Sequence, residues 1–262
     1  MRIIDIHTHI YPDAIAQKAT DSVAQFYGIA GAGMGGTARQ LLERGKTAGI
    51  EKFVVLPVAI RPDRVSGIND FICQQTALHP EFFGFGTLHA EMENLCDEAE
   101  RIEKLGLHGI KMHPDSQHFA IDDDRLLPMY DAIQGRLPVM LHMGDQRYNY
   151  SHPIKLHKIL QMFPRLEVIA AHFGGYSMYQ QAYELLKHSD QCIFDISSSI
   201  MFMPDGDAEK YIRAYGCERM AYGTDYPLWD PIGEVSTFLK LRLTDAEKEQ
   251  IAHKTAERFL GI

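Results

Sequence analysis

The sequence contains few cysteines, no basic cluster and no long apolar run. Its four cysteines, among 262 residues, are scattered without a Cys-x-x-Cys pair, which argues against a disulfide framework or a thiolate zinc site. The net charge of −9, without clustered Lys and Arg, argues against a nucleic-acid surface. No stretch approaches the roughly 20 apolar residues of a membrane span or resembles a signal peptide. We therefore expect a cytoplasmic monomer or homodimer with no nucleic-acid or membrane partner.

What the chain does contain is a regular alternation of short apolar runs and longer amphipathic segments. The segments between the runs carry apolar residues three or four positions apart, which is typical of helices. Apolar strands separated by helices form parallel sheets, and eight such units fit a (β/α)8 TIM barrel of about 250 residues. We therefore predict an α/β fold, a single-domain TIM barrel over residues 1–262. The eight predicted strands are Ile3–Ile6, Phe53–Val58, Phe83–Leu88, Gly109–Met112, Pro138–His142, Val168–Ala171, Cys192–Ile196 and Met220–Gly223.

The sequence lacks two common functional motifs, a serine-nucleophile elbow and a glycine-rich phosphate-binding turn. No Gly-x-Ser-x-Gly elbow is present, so a serine nucleophile is not indicated. The first strand is not followed by a glycine-rich turn, because the first group of glycines comes after a predicted helix over residues 13–26. This group predicts a flexible loop over the barrel mouth rather than a phosphate cradle. Its members are Gly28, Gly31, Gly33, Gly35 and Gly36.

Polar residues end several of the predicted strands. His7 and His9 close the first strand, and because alternate residues share a face, their imidazoles should point at one spot. The carboxyl ends of the strands carry the chemistry of TIM barrels, and imidazole binds Zn, Fe, Mn or Ni well. Each residue alone could be a satisfied core histidine, a loop cap or an ion-pair partner, but the repetition favours a metal site. The later strand-end residues are Lys111, His113, His142, His172 and Asp225.

Residues for substrate binding are predicted from the loops after the strands. Arg147 follows the fifth strand, and its planar guanidinium suits a carboxylate clamp; the alternative is a solvated side chain. Other candidates could supply hydroxyl groups or an aromatic wall after the last two strands. These candidates are Ser197, Ser198, Ser199, Tyr226 and Trp229.

The ordered motifs resemble those of one known family. The opening Asp5-Ile6-His7-Thr8-His9, the strands ending at His142 and His172, and the run Tyr222–Pro227 are together similar to the amidohydrolase superfamily, in its amidohydrolase-related branch. The resemblance spans nearly the whole chain. The opening is also similar to that of the aminocarboxymuconate-semialdehyde decarboxylases of the same branch.

The resemblance implies a single divalent ion, zinc first with Mn, Fe or Ni as alternatives. It implies ligation by His7, His9, His142 and Asp225, with His172 beside the bound water as acid and base. Asp225 or His172 could take the proton of that water. Binuclear relatives use a carbamylated lysine on strand four, so Lys111 could bridge a second ion, with His142 and His172 as its ligands. We favour one ion, because charged lysine is a poor ligand; Lys111 and His113 would then bind an anionic group of the substrate.

Three functions follow from this arrangement. Three imidazoles and a carboxylate leave an open position for water, which favours a hydrolase acting on an amide, ester or lactone of a small molecule. The first alternative is a non-oxidative decarboxylase or a hydratase acting on an unsaturated or aromatic carboxylic acid. The second is a catalytically silent metal-binding scaffold. Fold analogy does not decide among them, because function lies in the loops of the site.

Overall fold

The computed structural model describes residues 1–29 and 33–261, so Gly31 of the predicted glycine loop lies outside the described residues. The chain alternates strands with helices, as its apolar pattern predicts. The strands are β1 Ile4–Thr8, β2 Lys52–Val55, β3 Phe82–Gly84, β4 Gly86–Thr87, β5 Ile110–Met112, β6 Val139–Leu141, β7 Val168–Ala170, β8 Cys192–Asp195 and β9 Met220–Ala221.

Most of the helices lie in the amphipathic segments between the predicted strands, and some short connections form single 3₁₀ turns. A π-helical turn over Gln250–Lys254 separates the last two helices. The helices are α1 Ala16–Tyr27, α2 Ala38–Ala48, α3 Val65–Leu78, α4 Leu95–Lys104, α5 Pro114–Gln117, α6 Leu127–Ile133, α7 Pro153–Met162, α8 Tyr179–Leu186, α9 Asp207–Tyr215, α10 Pro231–Lys240, α11 Asp245–Glu249 and α12 Thr255–Leu260.

The chain divides into two compact units. The first unit comprises residues 1–56, 78–83 and 196–262, and the second comprises 57–77 and 84–195. In the first unit β1 pairs parallel with β2, and the backbone N–H of Ile6 donates to the carbonyl of Tyr222 at 2.9 Å. The segment that follows β9 therefore lies along the other edge of β1.

The second unit contains a parallel run of strands in chain order. β4 pairs with β5, β5 with β6, β6 with β7 and β7 with β8, all in parallel register. All residues of β6 and β7 are fully buried and apolar. Such near-continuous apolar strands are typical of parallel sheets covered on both faces, and the predicted parallel α/β arrangement is confirmed.

The predicted third strand is wrong in one respect, because it forms two strands, β3 and β4, interrupted at Phe85. The ring of Phe85 is fully buried, and a Cβ added to Gly109 would lie only 2.5 Å from it. Gly84 and Gly86 flank this residue, and glycine weakens a regular strand. The apolar run alone does not reveal the interruption.

Helix α10 was missed by the sequence analysis, although its start carries a clear signal. The carboxylate of Asp230 accepts a hydrogen bond from the N–H of Ile232 at 3.2 Å, and Pro231 is the first helical residue. Both features are typical of helix N-termini. Farther along the chain, α11, the π turn and α12 follow one another, and Thr244 forms a capping box with Glu247 at the start of α11.

None of the described helices has the length and apolar character needed to cross a membrane. The cytoplasmic location, the monomeric or dimeric state and the single-domain extent over residues 1–262 stay predictions.

Replacing Gly45 with alanine should destabilise the protein by about 1–3 kcal/mol, because its new Cβ would overlap the ring of Phe53 in the core. Gly67 provides the matched control, since it also lies within a helix, but a Cβ there would meet no atom of residues 1–29 and 33–261 within 4 Å. Gly67→Ala should be neutral or stabilising by up to about 1 kcal/mol. Denaturant unfolding of both variants measures the difference, and equal effects would contradict the packing of Gly45 against Phe53.

Candidate metal centre and active site

In the first unit, the two histidines of the opening motif approach one carboxylate oxygen. His7 lies on β1, and His9 follows the end of that strand. The Nε2 atoms of His7 and His9 lie 3.5 and 3.4 Å from the same oxygen, Oδ1 of Asp225. Two ligands of one tetrahedral ion, each bonded at about 2.1 Å, would lie about 3.4 Å apart. The spacing of these three atoms therefore fits a shared metal ion.

The other ring nitrogens of both histidines are already engaged. Nδ1 of His9 donates to the carbonyl oxygen of Leu56 at 2.6 Å, because a carbonyl can only accept. Nδ1 of His7 lies 3.0 Å from the hydroxyl oxygen of Ser197. A proton held on Nδ1 leaves the Nε2 lone pair for a metal, and such outer hydrogen bonds are typical of metal-binding histidines. The sequence predicted neither the Leu56 contact nor the pairing of Ser197 with His7.

Hydrogen bonds of Asp5 connect the opening strand with the segment that contains Asp225. Its fully buried carboxylate accepts hydrogen bonds from the N–H of His7 at 3.1 Å and of Thr224 at 3.0 Å. The hydroxyl of Thr224 donates to it at 2.6 Å, and the N–H of Asp225 donates to the carbonyl of His7 at 2.8 Å. The positions of the two histidines and of Asp225 are thus set by one hydrogen-bonded network.

A second set of contacts surrounds the other oxygen of Asp225. The hydroxyl of Ser198 donates to Oδ2 of Asp225 at 2.5 Å, and the indole N–H of Trp229 donates to Ser198 Oγ at 2.7 Å. Both Asp225 and Ser198 have positive φ angles, +61° and +49°. Non-glycine residues in this region are strained and occur often at functional sites.

In the second unit, His142 and His172 form a direct pair. Nδ1 of His142 lies 3.1 Å from Nε2 of His172, and each outer nitrogen faces a buried carboxylate. Nε2 of His142 lies 3.8 Å from Oδ2 of Asp115, and Nδ1 of His172 lies 3.9 Å from Oδ1 of Asp195. His172 also has a positive φ of +58°, and its backbone N–H donates to Asp195 at 3.2 Å.

Asp115 and Asp195 were not singled out from the sequence, although Asp195 is the polar residue that ends β8. Asp115 is fully buried, and burial raises its pKa to about 6. The hydroxyl of Ser151 donates to its Oδ2 at 2.5 Å and opposes that shift, while the charge of Asp145 adds to it. Oδ1 of Asp115 has no hydrogen-bond partner among the residues that the structure describes.

His113 stacks on His142 instead of converging with it on one point. The two rings are 3.9 Å apart and nearly parallel, at 6°. Ligand atoms of His113, Asp115 and His142 lie within 4.8 Å of one another, but parallel rings direct their lone pairs along parallel lines. Nδ1 of His113 also accepts the N–H of Ser116 at 3.3 Å, capping α5. This geometry suits a packing partner of His142 better than a ligand of a shared ion.

The two remaining residues predicted to bind substrate are Lys111 and Arg147. Lys111 is buried in β5, with 1% of its surface exposed. Arg147 forms a paired contact with Asp145, from Nε to Oδ1 at 3.0 Å and from Nη2 to Oδ2 at 2.6 Å. A substrate carboxylate would compete with Asp145 for this guanidinium, so the carboxylate clamp stays a prediction.

The stability of the metal-free protein should fall as the pH rises from about 4.5 to 7, through Glu234 on α10. Burial, followed by the charges of Asp225 and Asp230, raises the pKa of Glu234 from 4.5 to about 7. A folded-state pKa above the unfolded value means that the folded state binds the proton more tightly, so ionisation opposes folding by up to about 3 kcal/mol.

Glu234→Gln should remove this part of the pH dependence, measured by denaturant unfolding at pH 5 and pH 8. Exposed Glu43 is the control, and Glu43→Gln should keep the wild-type slope. A Glu234→Gln slope equal to that of the wild type would contradict the burial of this carboxyl.

Comparison with known structures identifies the fold. An uncharacterised TIM-barrel protein from Bordetella bronchiseptica is 22% identical, with 100% of this chain and 99% of that one covered at a TM-score of 0.85. A 5-carboxyvanillate decarboxylase from Sphingomonas paucimobilis is 17% identical over 100% and 99% of the two chains, at a TM-score of 0.74. A dihydroxybenzoic acid decarboxylase from Polaromonas, solved with manganese and 2-nitroresorcinol, is 14% identical over 99% and 96%, at 0.75.

These likenesses extend over the whole chain and confirm the predicted TIM-barrel fold. No curated protein matches the chain in sequence. The amidohydrolase family matches residues 4–262, and the chain therefore belongs to that family. The predicted membership and the prediction of an enzyme are confirmed. The choice between hydrolase and lyase is a finer question.

Proposed function

We propose that this enzyme is a metal-dependent lyase that removes carbon dioxide from a small aromatic or unsaturated carboxylic acid. The observation that carries the metal dependence of this proposal is the donor set of His7, His9 and Asp225, with Nε2 of each imidazole directed at one carboxylate oxygen. The same fold occurs in the two decarboxylases described above, one of them with bound manganese. This combination favours the alternative function over the hydrolase that we placed first from sequence.

The metal ion would be held by His7, His9 and Asp225, with His142 as the fourth ligand that the family resemblance implies. Imidazole and carboxylate suit zinc and manganese alike, so both metals remain candidates. When bound, the ion would draw electron density from a substrate oxygen and so ease the loss of the carboxylate. We retain one ion per chain, because a second would require a modified Lys111.

The chain's own residues must supply a proton. In decarboxylation the bond between the substrate carbon and its carboxylate breaks, carbon dioxide leaves, and that carbon takes a proton. His172 is the acid that we propose, and Asp225 is the second candidate. The hydrogen bond between the N–H of His172 and Asp195 would keep this residue in place while it holds and delivers the proton.

The first unit offers an aromatic surface close to Asp225. The indole of Trp229, bonded to Ser198, packs edge-on against Phe202, with ring centroids 6.0 Å apart. Phe202 is half exposed, at 51%, so its ring can receive a flat ligand. An aromatic acid would suit this surface, and we propose Lys111, His113 and Arg147 as the residues that bind its anionic group.

Hydrolysis remains the second candidate, supported by the amidohydrolase family itself. The same donor set would leave a position for water, and His172 would then act as base. A silent scaffold is disfavoured, because the donor atoms of His7, His9 and Asp225 are all present and suitably placed.

The test is a substrate panel with metal-loaded protein. Carbon dioxide release from hydroxybenzoates and carboxyvanillates, including 2,6-dihydroxybenzoate, should exceed that of the metal-free protein. Hydrolysis of amides, esters and lactones is assayed in parallel. Hydrolysis without decarboxylation would reverse the order of the two candidates, and neither activity with full metal occupancy would favour the scaffold.

A further inference from the structure

We propose that Ser198 is a positioning residue for Asp225. By hydrogen bonding to one carboxylate oxygen, it leaves the other oxygen to bind the metal ion. The inference rests on the metal ligation by Asp225 proposed above. Ser198 lies outside the motifs that indicated a metal site, and the sequence suggested for it only a hydroxyl near the substrate.

The direction of the hydrogen bonds in this contact is unambiguous. The indole nitrogen of Trp229 carries a hydrogen and can only donate, so Ser198 Oγ must accept at 2.7 Å. The hydroxyl hydrogen of Ser198 is then donated to Oδ2 of Asp225 at 2.5 Å, because an ionised carboxylate only accepts. Each bond polarises the next, and a hydrogen bond to a charged acceptor is about twice as strong as a neutral one.

This arrangement makes the two oxygens of Asp225 unequal. Oδ2 is occupied by Ser198, whereas Oδ1 lies 3.4 and 3.5 Å from the Nε2 atoms of His9 and His7. Asp225 would therefore bind an ion through Oδ1 alone. Without the Ser198 hydroxyl, both oxygens could turn toward the ion, and the number of bonds to the metal would rise.

The surrounding backbone holds this pair in place. Ser198 is 4% exposed and Asp225 8%, and both adopt left-handed backbone conformations. Such conformations are unfavourable for non-glycine residues and persist only where neighbouring contacts enforce them. The Ser198 hydroxyl is used as both donor and acceptor, so its role is to orient Asp225 and not to attack a substrate.

The test is a titration of metal-free protein with Co²⁺ that measures the dissociation constant and the visible absorption of the bound ion. The intensity of this absorption falls as the coordination number of Co²⁺ rises. Ser198→Ala should raise the dissociation constant about tenfold, as loss of an outer hydrogen bond typically does, and weaken the absorption band. Trp229→Phe removes the indole N–H together with part of the ring, leaves the Ser198 hydroxyl in place, and should shift both readouts in the same direction by less.

Ser22→Ala is the matched control, because its exposed hydroxyl donates to the carbonyl of Lys18 on α1, outside the proposed site. It should reproduce the wild-type titration. Circular dichroism checks that the variants are folded, and Trp229→Phe tests the same interaction should Ser198→Ala fail to fold.

The outcomes separate the two proposals. A wild-type protein that binds no Co²⁺ overturns the metal site and, with it, the role of Ser198. A wild-type protein that binds Co²⁺, with unchanged affinity and spectrum in both variants, overturns the role of Ser198 alone.

Discussion

Asp225→Asn is expected to abolish measurable turnover and to weaken divalent-metal affinity by about 100-fold or more. The substitution removes the negative charge opposite the Nε2 atoms of His7 and His9, and a neutral amide is a weaker ligand than a carboxylate. Elemental analysis of protein purified without a histidine tag or chelator gives metal per chain, and the substrate panel gives turnover.

Asp205→Asn is the control for this change, because the Asp205 side chain is 92% exposed and forms an ion pair with Arg242 at the surface. It should retain full metal content. His9→Asn should behave like Asp225→Asn, and wild-type metal content in either of these two variants would remove that residue from the ligand set.

His172→Asn is expected to lower turnover by about 10²- to 10⁴-fold, the usual contribution of a general acid, while metal content stays near one ion per chain. The asparagine cannot supply the proton that the substrate carbon requires. Rates under saturating metal and substrate, together with elemental analysis, separate loss of the acid from loss of the ion.

Exposed His188 provides the matched control, since His188→Asn changes the same residue type outside the proposed site. A different result would support the two-ion arrangement: two ions in the wild type, falling to one in His172→Asn. Lys111 would then carry the carbamate that bridges the pair.

The sequence predicted the meeting of the strand-end side chains better than the contacts that support it. The spacing of His7 and His9 on a strand requires a shared face, and the structure places both Nε2 atoms by Asp225. The Leu56 carbonyl that accepts the His9 proton could not be predicted, because this contact depends on the register between β1 and the chain after β2. Asp115 was missed because its importance comes from complete burial, which no local pattern encodes.

For the fold, too, local sequence patterns predicted the strands, whereas features that depend on packing were not predicted. Apolar runs located the parallel strands, but the interruption at Phe85 reflects the close approach of its ring to Gly109. Helix α10 has a recognisable start at Asp230 and Pro231, so it was predictable and was overlooked. The reaction was harder to predict, because the same ligands can support hydrolysis or decarboxylation, and the choice depends on the substrate and the acid.

The hydrogen bond from Thr224 to Asp5 also has a consequence for how the protein is made. The two residues are 219 positions apart, so at about 5–20 residues per second a ribosome needs roughly 10 to 40 s between them. During that interval β1 can pair with β2, but its other edge has no partner and is open to aggregation. Co-expressed chaperones or a lowered growth temperature should therefore raise the yield of active enzyme, because the proposed ligands His7, His9 and Asp225 can meet only after residue 225 has been synthesised.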